Sequence, residues 1–161
     1  MIAAPSTPRS LPPGPSFYIA SGYGNAPRVA ELARALTDQG WRHTYDWTAT
    51  TCCLHSEAVA RSPGWIAARE LNAAVSADLV VVLLPGLRGT HTEFGAALAA
   101  RRSVVLHTED PADFAPGAHA CPFYWFPGVT RVVLPFASLP PWLLGRYGLR
   151  PAERSIADAG D

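Results

Sequence analysis

Apolar positions in the middle of the chain change from a continuous run to a helical spacing. Residues 79–84 form an unbroken apolar run rich in Val, which is typical of a strand buried on both faces of a parallel sheet. Pro85 and Gly86 end this run, and Gly89 follows shortly afterwards. From Thr90 onwards the apolar residues recur with the spacing of a helix. The segment therefore predicts a strand, a glycine-containing loop and a helix N-terminus that presents its N–H groups to a ligand.

The same periodicities predict further elements on either side. Additional strands are predicted at residues 16–21, 41–47, 103–107 and 131–134. Helices are predicted between Asn25, as N-cap, and Gly40, and over residues 63–77, 90–101 and 139–147. Alternating strands and helices favour a three-layer α/β fold, flavodoxin-like or Rossmann-like, with helices on both faces of a five-stranded parallel sheet. We expect the strand order 2-1-3-4-5.

The length, charge and composition of the chain exclude several classes of protein. A chain of 161 residues is expected to form one domain, here residues 16–149, between a Pro-rich disordered tail (1–15) and a polar tail (150–161). The formal net charge is zero, so a nucleic-acid partner is not expected. No apolar run has the length of a membrane span, and the three cysteines do not form a disulfide framework. A cytoplasmic protein without a metal site is expected.

Glu93 follows Thr90 by three residues, and this spacing allows two interpretations. In the first, Thr90-x-x-Glu93 is a capping box, in which Thr90 is the N-cap and Glu93 reaches back to its N–H. In the second, Glu93 lies at the carboxyl end of a central strand, faces a crevice and acts as a nucleophile. The spacing alone favours the cap, because capping boxes are frequent.

Two further carboxylates lie where parallel-sheet proteins bind ligands. Asp46 falls at the end of the predicted second strand, where it is either a ligand-binding residue or a turn residue. Glu70 lies among small apolar residues on one stripe of the helix over 63–77. Its carboxylate either extends to water at the edge of the stripe or faces a pocket with a perturbed pKa.

Several segments in a fixed order resemble the nucleoside 2-deoxyribosyltransferase-like family. They are FYIASG (17–22), ELN (70–72), ADLVV (77–81) and GTHTEFGAA (89–97), and the resemblance covers about residues 16–134. It implies that Glu93 is the nucleophile, that Tyr18 holds the carboxylate by a hydrogen bond, and that Glu70 is an acid near the substrate. The family commonly has Asp where this chain has Glu70. Without the resemblance, Tyr18 is equally well a half-buried strand tyrosine.

The predicted strand order places the ends of strands 1 and 3 at one crevice. We expect the substrate-binding residues at this crevice. The candidates are Ser21, Gly22, Asp46, Gly86, Arg88, Gly89, Thr90, His91, Phe123 and Tyr124. Arg88 lies in a loop where relatives active on free deoxynucleosides often carry an acid, so it is either a solvent-exposed arginine or a ligand for a 5′-phosphate. Phe123 and Tyr124 either cover the edge of the core or, as the resemblance implies, help to complete a neighbouring subunit's site. A homodimer or larger oligomer is expected.

The chemistry that unites these residues is cleavage of an N-glycosidic bond in a nucleoside or nucleotide. The protein is expected to be a nucleoside 2-deoxyribosyltransferase or a nucleoside 5′-monophosphate N-glycosidase that needs no cofactor. One alternative is a phosphoribohydrolase of the cytokinin-activating type, whose P-G-G-x-G-T-x-x-E pattern is similar to residues 85–93. Another is a nucleotide sensor without activity on the same fold.

Overall fold

The computed structural model is built on a sheet of parallel strands in the order β2-β1-β3-β4-β5. It describes residues 14–51, 63–116 and 121–148, so that most of both predicted tails lies outside the described residues. The strands are β1 (Ser16–Ser21), β2 (Arg42–His43), β3 (Leu79–Leu83), β4 (Ser103–Thr108) and β5 (Val129–Val133). The predicted α/β class and strand order are therefore confirmed.

Helices cover this sheet in two layers. They are α1 (Ala26–Thr37), α2 (Thr48–Thr51), α3 (Pro63–Ser76), α4 (Arg88–Ala99) and α5 (Leu139–Tyr147). Helix α1 packs against α5, and α3 packs against α4, as expected when right-handed crossovers place helices on both faces. None of the helices in the described ranges has the length and apolar character that crossing a membrane requires.

The core explains the continuous apolar run of the central strand. Every residue of β3 is buried, because β1 and β4 flank it and a helical layer covers each face. The helices instead bury one stripe, as the sequence periodicity predicts. In α1 the buried residues are Val29, Leu32, Ala33 and Leu36.

The second strand is shorter than the predicted residues 41–47, because side-chain bonds replace strand pairing beyond β2. The indole N–H of Trp47 donates to the carbonyl of Ile19 at 2.8 Å, which holds Trp47 against β1. Asp46 Oδ1 accepts a hydrogen bond from the N–H of Thr48 at 2.9 Å and so turns the chain into α2.

The helix after β3 also starts earlier than predicted. It begins at Arg88, Leu87 is its N-cap, and Thr90 Oγ1 accepts a hydrogen bond from the N–H of Leu87 at 3.2 Å. Thr90 is therefore not the N-cap, and the capping-box interpretation of Glu93 is wrong. Glu93 lies in the second turn of α4, and its carboxylate accepts a hydrogen bond from Tyr18 instead of a backbone N–H.

Candidate functional site

The carboxyl ends of β1 and β3 lie side by side and form the floor of a crevice. Ser21 pairs with Leu83, and the Ser21 hydroxyl donates to the Leu83 carbonyl at 2.9 Å. Asn25 is the N-cap of α1, as predicted, but its side chain forms no capping hydrogen bond. Its amide instead donates to Ser21 Oγ at 2.9 Å and so fixes the end of β1. Gly22 is buried, and a Cβ there would lie 3.3 Å from Cγ of Leu87.

A buried hydrogen bond joins Tyr18 and Glu93 across this crevice. The Tyr18 hydroxyl donates to Glu93 Oε1 at 3.0 Å, although the two residues are 75 positions apart in sequence. Tyr18 is fully buried in β1, and only 6% of Glu93 is exposed. The hydrogen bond that the family resemblance implies is therefore present. It directs the Glu93 carboxylate towards the sheet and away from the N-terminus of its own helix.

Glu70 of α3 brings a second carboxyl to Glu93. The two groups are close enough that a protonated carboxyl of one can hydrogen-bond to the other. Burial and, next, the charge of Glu70 raise the pKa of Glu93 to about 8, and the hydrogen bond from Tyr18 opposes part of this rise. Burial likewise raises the pKa of Glu70. Because each negative charge disfavours the other, the pair holds a proton at a higher pH than an isolated glutamate.

Three phenol groups belong to the electrostatic surroundings of the carboxyl pair. Burial, followed by the charges of Glu93 and Glu70, raises the pKa of Tyr18, which therefore stays a protonated donor. Burial and the same two carboxylates raise the pKa of Tyr23. Tyr45 contributes to both shifts, which places its hydroxyl in the same group. The sequence analysis missed Tyr23 and Tyr45. Their position directly after β1 and β2 is the signal that could have identified them.

The loop between β3 and α4 is tight at one glycine and open at the next. A Cβ at Gly86 would lie 2.9 Å from Thr90 Cγ2, and Thr90 itself is buried. A Cβ at Gly89 would meet no atom within 4 Å. Arg88 is exposed in the first turn of α4. The positive end of α4 therefore lies beside open space, together with a guanidinium group.

Asp46 has a turn role in the structure. Its side chain is exposed, and Oδ1 accepts hydrogen bonds from both the N–H and the hydroxyl of Thr48. This is the arrangement of a turn residue that precedes a helical turn. A role of Asp46 in substrate binding stays a prediction.

His91, Tyr124 and Phe123 lie together on another side of α4. His91 Nδ1 donates to the carbonyl of Leu87 at 2.8 Å, so in the neutral ring Nε2 accepts from the Tyr124 hydroxyl at 2.8 Å. Tyr124 is buried, whereas Phe123 is exposed. They adjoin an apolar groove of about 500 Å³, whose lining includes Phe94, Leu98, Cys121 and Phe126. The groove contains neither carboxyl of the pair, and the expected subunit contact through this segment stays a prediction.

The described ranges contain no cluster of three or more His, Cys, Asp or Glu side chains that could bind a metal ion. At the crevice, a buried carboxyl, an acidic neighbour and a phenol donor can supply a nucleophile, a proton donor and an orienting group.

Comparison with known proteins shows what fold this site is built on. No protein-family model matches the chain, and no curated protein matches it in sequence. The solved structure of a CMP N-glycosidase from Clostridium botulinum, BcmB, is similar with a TM-score of 0.57 and 18% identity, over 80% of this chain and 96% of BcmB. The solution structure of BlsM is similar with a TM-score of 0.63 and 17% identity, over 88% of this chain and 99% of BlsM. The likeness does not single out the 2-deoxyribosyltransferases, and it shows that the chain shares the α/β fold of these two proteins over most of its length.

Proposed function

We propose that the protein cleaves the N-glycosidic bond of a nucleoside 5′-monophosphate, with Glu93 as the nucleophile. The observation that carries this proposal is the buried carboxyl of Glu93, held by Tyr18 and paired with Glu70 at the crevice between β1 and β3. A carboxylate in this position can meet the positive charge that develops on the sugar. The likeness in fold to BcmB, a CMP N-glycosidase, and the sequence resemblance add support.

The first step forms a covalent intermediate. The Glu93 carboxylate attacks C1′ of the sugar while the C1′–N bond breaks, and the base leaves with the electron pair of that bond. The Glu70 carboxyl, whose pKa is raised by burial, is the proton donor for the departing base. Tyr18 orients the attacking carboxylate through its donated hydrogen bond.

The second step releases the sugar. Glu70, now a carboxylate, takes a proton from a water molecule whose oxygen attacks C1′ and displaces Glu93 from the ester. The products are the free base and a sugar 5-phosphate. If a second base attacks in place of water, the reaction is a transfer, so assays should be run with and without an acceptor base.

The start of α4 supports a nucleotide as the substrate. A 5′-phosphate is an anion of the kind that a helix N-terminus and an arginine bind, and Arg88 and Gly89 lie there beside open space. Arg88→Ala should therefore lower kcat/KM for a nucleotide more than for the corresponding nucleoside. Unchanged discrimination between the two would contradict the assignment of Arg88 to the phosphate.

Base release tests the proposal as a whole. The protein is incubated with the common nucleosides and their 5′-monophosphates, and free base is measured by chromatography. Glu93→Gln should abolish release, whereas Glu31→Gln, which changes an exposed glutamate on α1, should not. Tight nucleotide binding without release by the wild-type protein would instead indicate the sensor function.

A further inference from the structure

A cation in contact with two aromatic rings directly precedes Glu70 on α3, and the proposed reaction does not use it. The guanidinium carbon of Arg69 lies 4.8 Å from the ring centre of Tyr45 and 4.8 Å from that of Trp65. We call Arg69, Tyr45 and Trp65 the arginine clamp. Trp65 is 53% exposed, so the clamp lies at the surface and not within the core.

The arginine clamp borders the proposed active site. Arg69 directly precedes Glu70 on α3, and the Tyr45 hydroxyl influences the pKa of both Tyr18 and Tyr23. Tyr23 is itself exposed and packs edge-on against Trp47, with ring centres 5.7 Å apart. One flank of the crevice therefore includes several aromatic rings and the guanidinium of Arg69.

The two flanks of the crevice differ in chemistry. The N-terminus of α4, with its dipole and Arg88, is suited to a phosphate. The flank on the side of α3 and β2 offers flat aromatic surfaces, which suit a base. With Glu93 reacting at the sugar, a nucleotide that places its phosphate at α4 directs its base towards the arginine clamp.

The N–H groups of the Arg69 guanidinium are available as hydrogen-bond donors at this flank of the crevice. No described residue forms an ion pair or a hydrogen bond with it, and aromatic rings occupy positions around its central carbon. Its N–H groups lie in the plane of the guanidinium and form a rigid fork that donates two parallel hydrogen bonds. Such a fork matches two adjacent acceptors on one edge of a base, as in guanine O6 and N7.

We propose that Arg69, held by Tyr45 and Trp65, donates two hydrogen bonds to the base of the nucleotide. It thereby selects bases that present two adjacent hydrogen-bond acceptors. This inference rests on the proposed N-glycosidase function. Cytosine offers O2 and N3, and guanine offers O6 and N7. Uracil has a donor at N3, and adenine has a donor at N6, so neither matches the fork. The pairs cytosine–uracil and guanine–adenine therefore differ at the edge that Arg69 would contact.

The test compares kcat/KM for CMP with UMP, and for GMP with AMP. The wild-type protein should prefer the first member of at least one pair by about 5- to 150-fold, the discrimination of one bidentate contact. Arg69→Gln should lose most of that preference, and Arg69→Lys should lose it in part, because an ammonium is not a planar fork. Equal activity within both pairs, or a preference for UMP or AMP, would overturn the proposal.

A matched control exists on the opposite layer of the molecule. Arg146 of α5 also stacks on a tryptophan four residues before it, Trp142, at 5.8 Å from the ring centre, and on Tyr147 at 5.9 Å. Arg146→Gln removes the same kind of contact and should leave the base preference unchanged. If Arg69→Gln and Arg146→Gln behave alike, Arg69 is only a surface contact and the inference fails.

Failure of the proposed function gives a different result. In that case the wild-type protein releases no base from any nucleotide or nucleoside. Equilibrium binding of the same four nucleotides to wild-type protein and to Arg69→Gln then still measures the base preference. Equal affinities for all four nucleotides would overturn the role of Arg69 as well.

Discussion

Replacing Glu70 by Gln should remove the alkaline fall from the pH profile of base release. In the proposed first step Glu93 is ionised while Glu70 is protonated, so kcat/KM of the wild-type protein should fall as the pH rises through about 8, where the pair loses its last proton. After burial, the charge of Glu70 is the next largest cause of the raised pKa of Glu93. In Glu70→Gln the neighbour is neutral at every pH, and its amide can donate a hydrogen bond to the Glu93 carboxylate. Glu93 therefore ionises at a lower pH in this variant, and the pair has no further proton to lose at about 8.

Coulomb's law gives the size of the decrease in the pKa of Glu93 that the neutral neighbour causes. Two unit charges about 5 Å apart, the separation of hydrogen-bonded carboxyl groups, interact by about 3 kcal/mol at an effective dielectric constant of about 20. This energy corresponds to about 2 pKa units. Glu70 is only partly buried, and screening by solvent reduces the expected shift to about one unit.

The assay is the initial rate of base release at low substrate concentration, measured from about pH 5 to about pH 10. The rate of Glu70→Gln is lower because the variant lacks the proposed proton donor, so the result is taken from the shape of the pH profile and not from its height. The profile of Glu70→Gln should level off at alkaline pH, whereas Glu31→Gln is the control and should keep the wild-type profile. A fall through about pH 8 that persists in Glu70→Gln would refute the proposed coupling between Glu70 and Glu93.

Other changes test the remaining contacts of the site. Tyr18→Phe removes a hydrogen bond to a charged group worth about 1.5–3 kcal/mol, so kcat/KM should fall about 10- to 150-fold; an unchanged value would show that the bond does not orient Glu93. The folded-state pKa of Glu93 is raised, so the stability linked to its proton is fully present below about pH 4.5 and lost as the pH rises through about 8. Glu93→Gln should flatten that decline in urea unfolding, and a decline equal to that of wild type would contradict the linkage. Gly86→Ala should lower the melting temperature, because the new Cβ would lie 2.9 Å from Thr90 Cγ2, whereas Gly89→Ala, with no atom within 4 Å, should not lower it. Equal melting temperatures for the two alanine variants would show that the loop relaxes at little cost.

Local patterns in the sequence were sufficient for most elements of the fold. The apolar run at residues 79–84 predicted β3, because a strand covered on both faces has no position left for a polar side chain. The helix over Leu139–Tyr147 is observed with its predicted bounds. The alternation of strands and helices predicted a parallel sheet, and the expected strand order 2-1-3-4-5 is confirmed.

The sequence patterns gave wrong bounds for two elements, because a side chain there competes with the backbone for hydrogen bonds. Alternation over residues 41–47 predicted one long strand, but the indole of Trp47 bonds to Ile19 and ends the pairing early. The spacing of Thr90 and Glu93 predicted a capping box, but Thr90 accepts its bond from Leu87 and the helix starts two residues sooner. In both cases the competing partner is not marked by any periodicity.

The sequence by itself determined which residues are buried in strands and helices. Through its resemblance to a known family, it also made Glu93, Tyr18 and Glu70 candidates for one site. Only the tertiary structure decided that the Tyr18 hydroxyl reaches Glu93 at 3.0 Å and that the Arg69 guanidinium contacts the rings of Tyr45 and Trp65. Periodicity records which face of an element avoids water, and this is a local property. A contact between distant residues depends on how α3 and α4 are rotated and shifted against β1, and the packing of the whole core sets that arrangement.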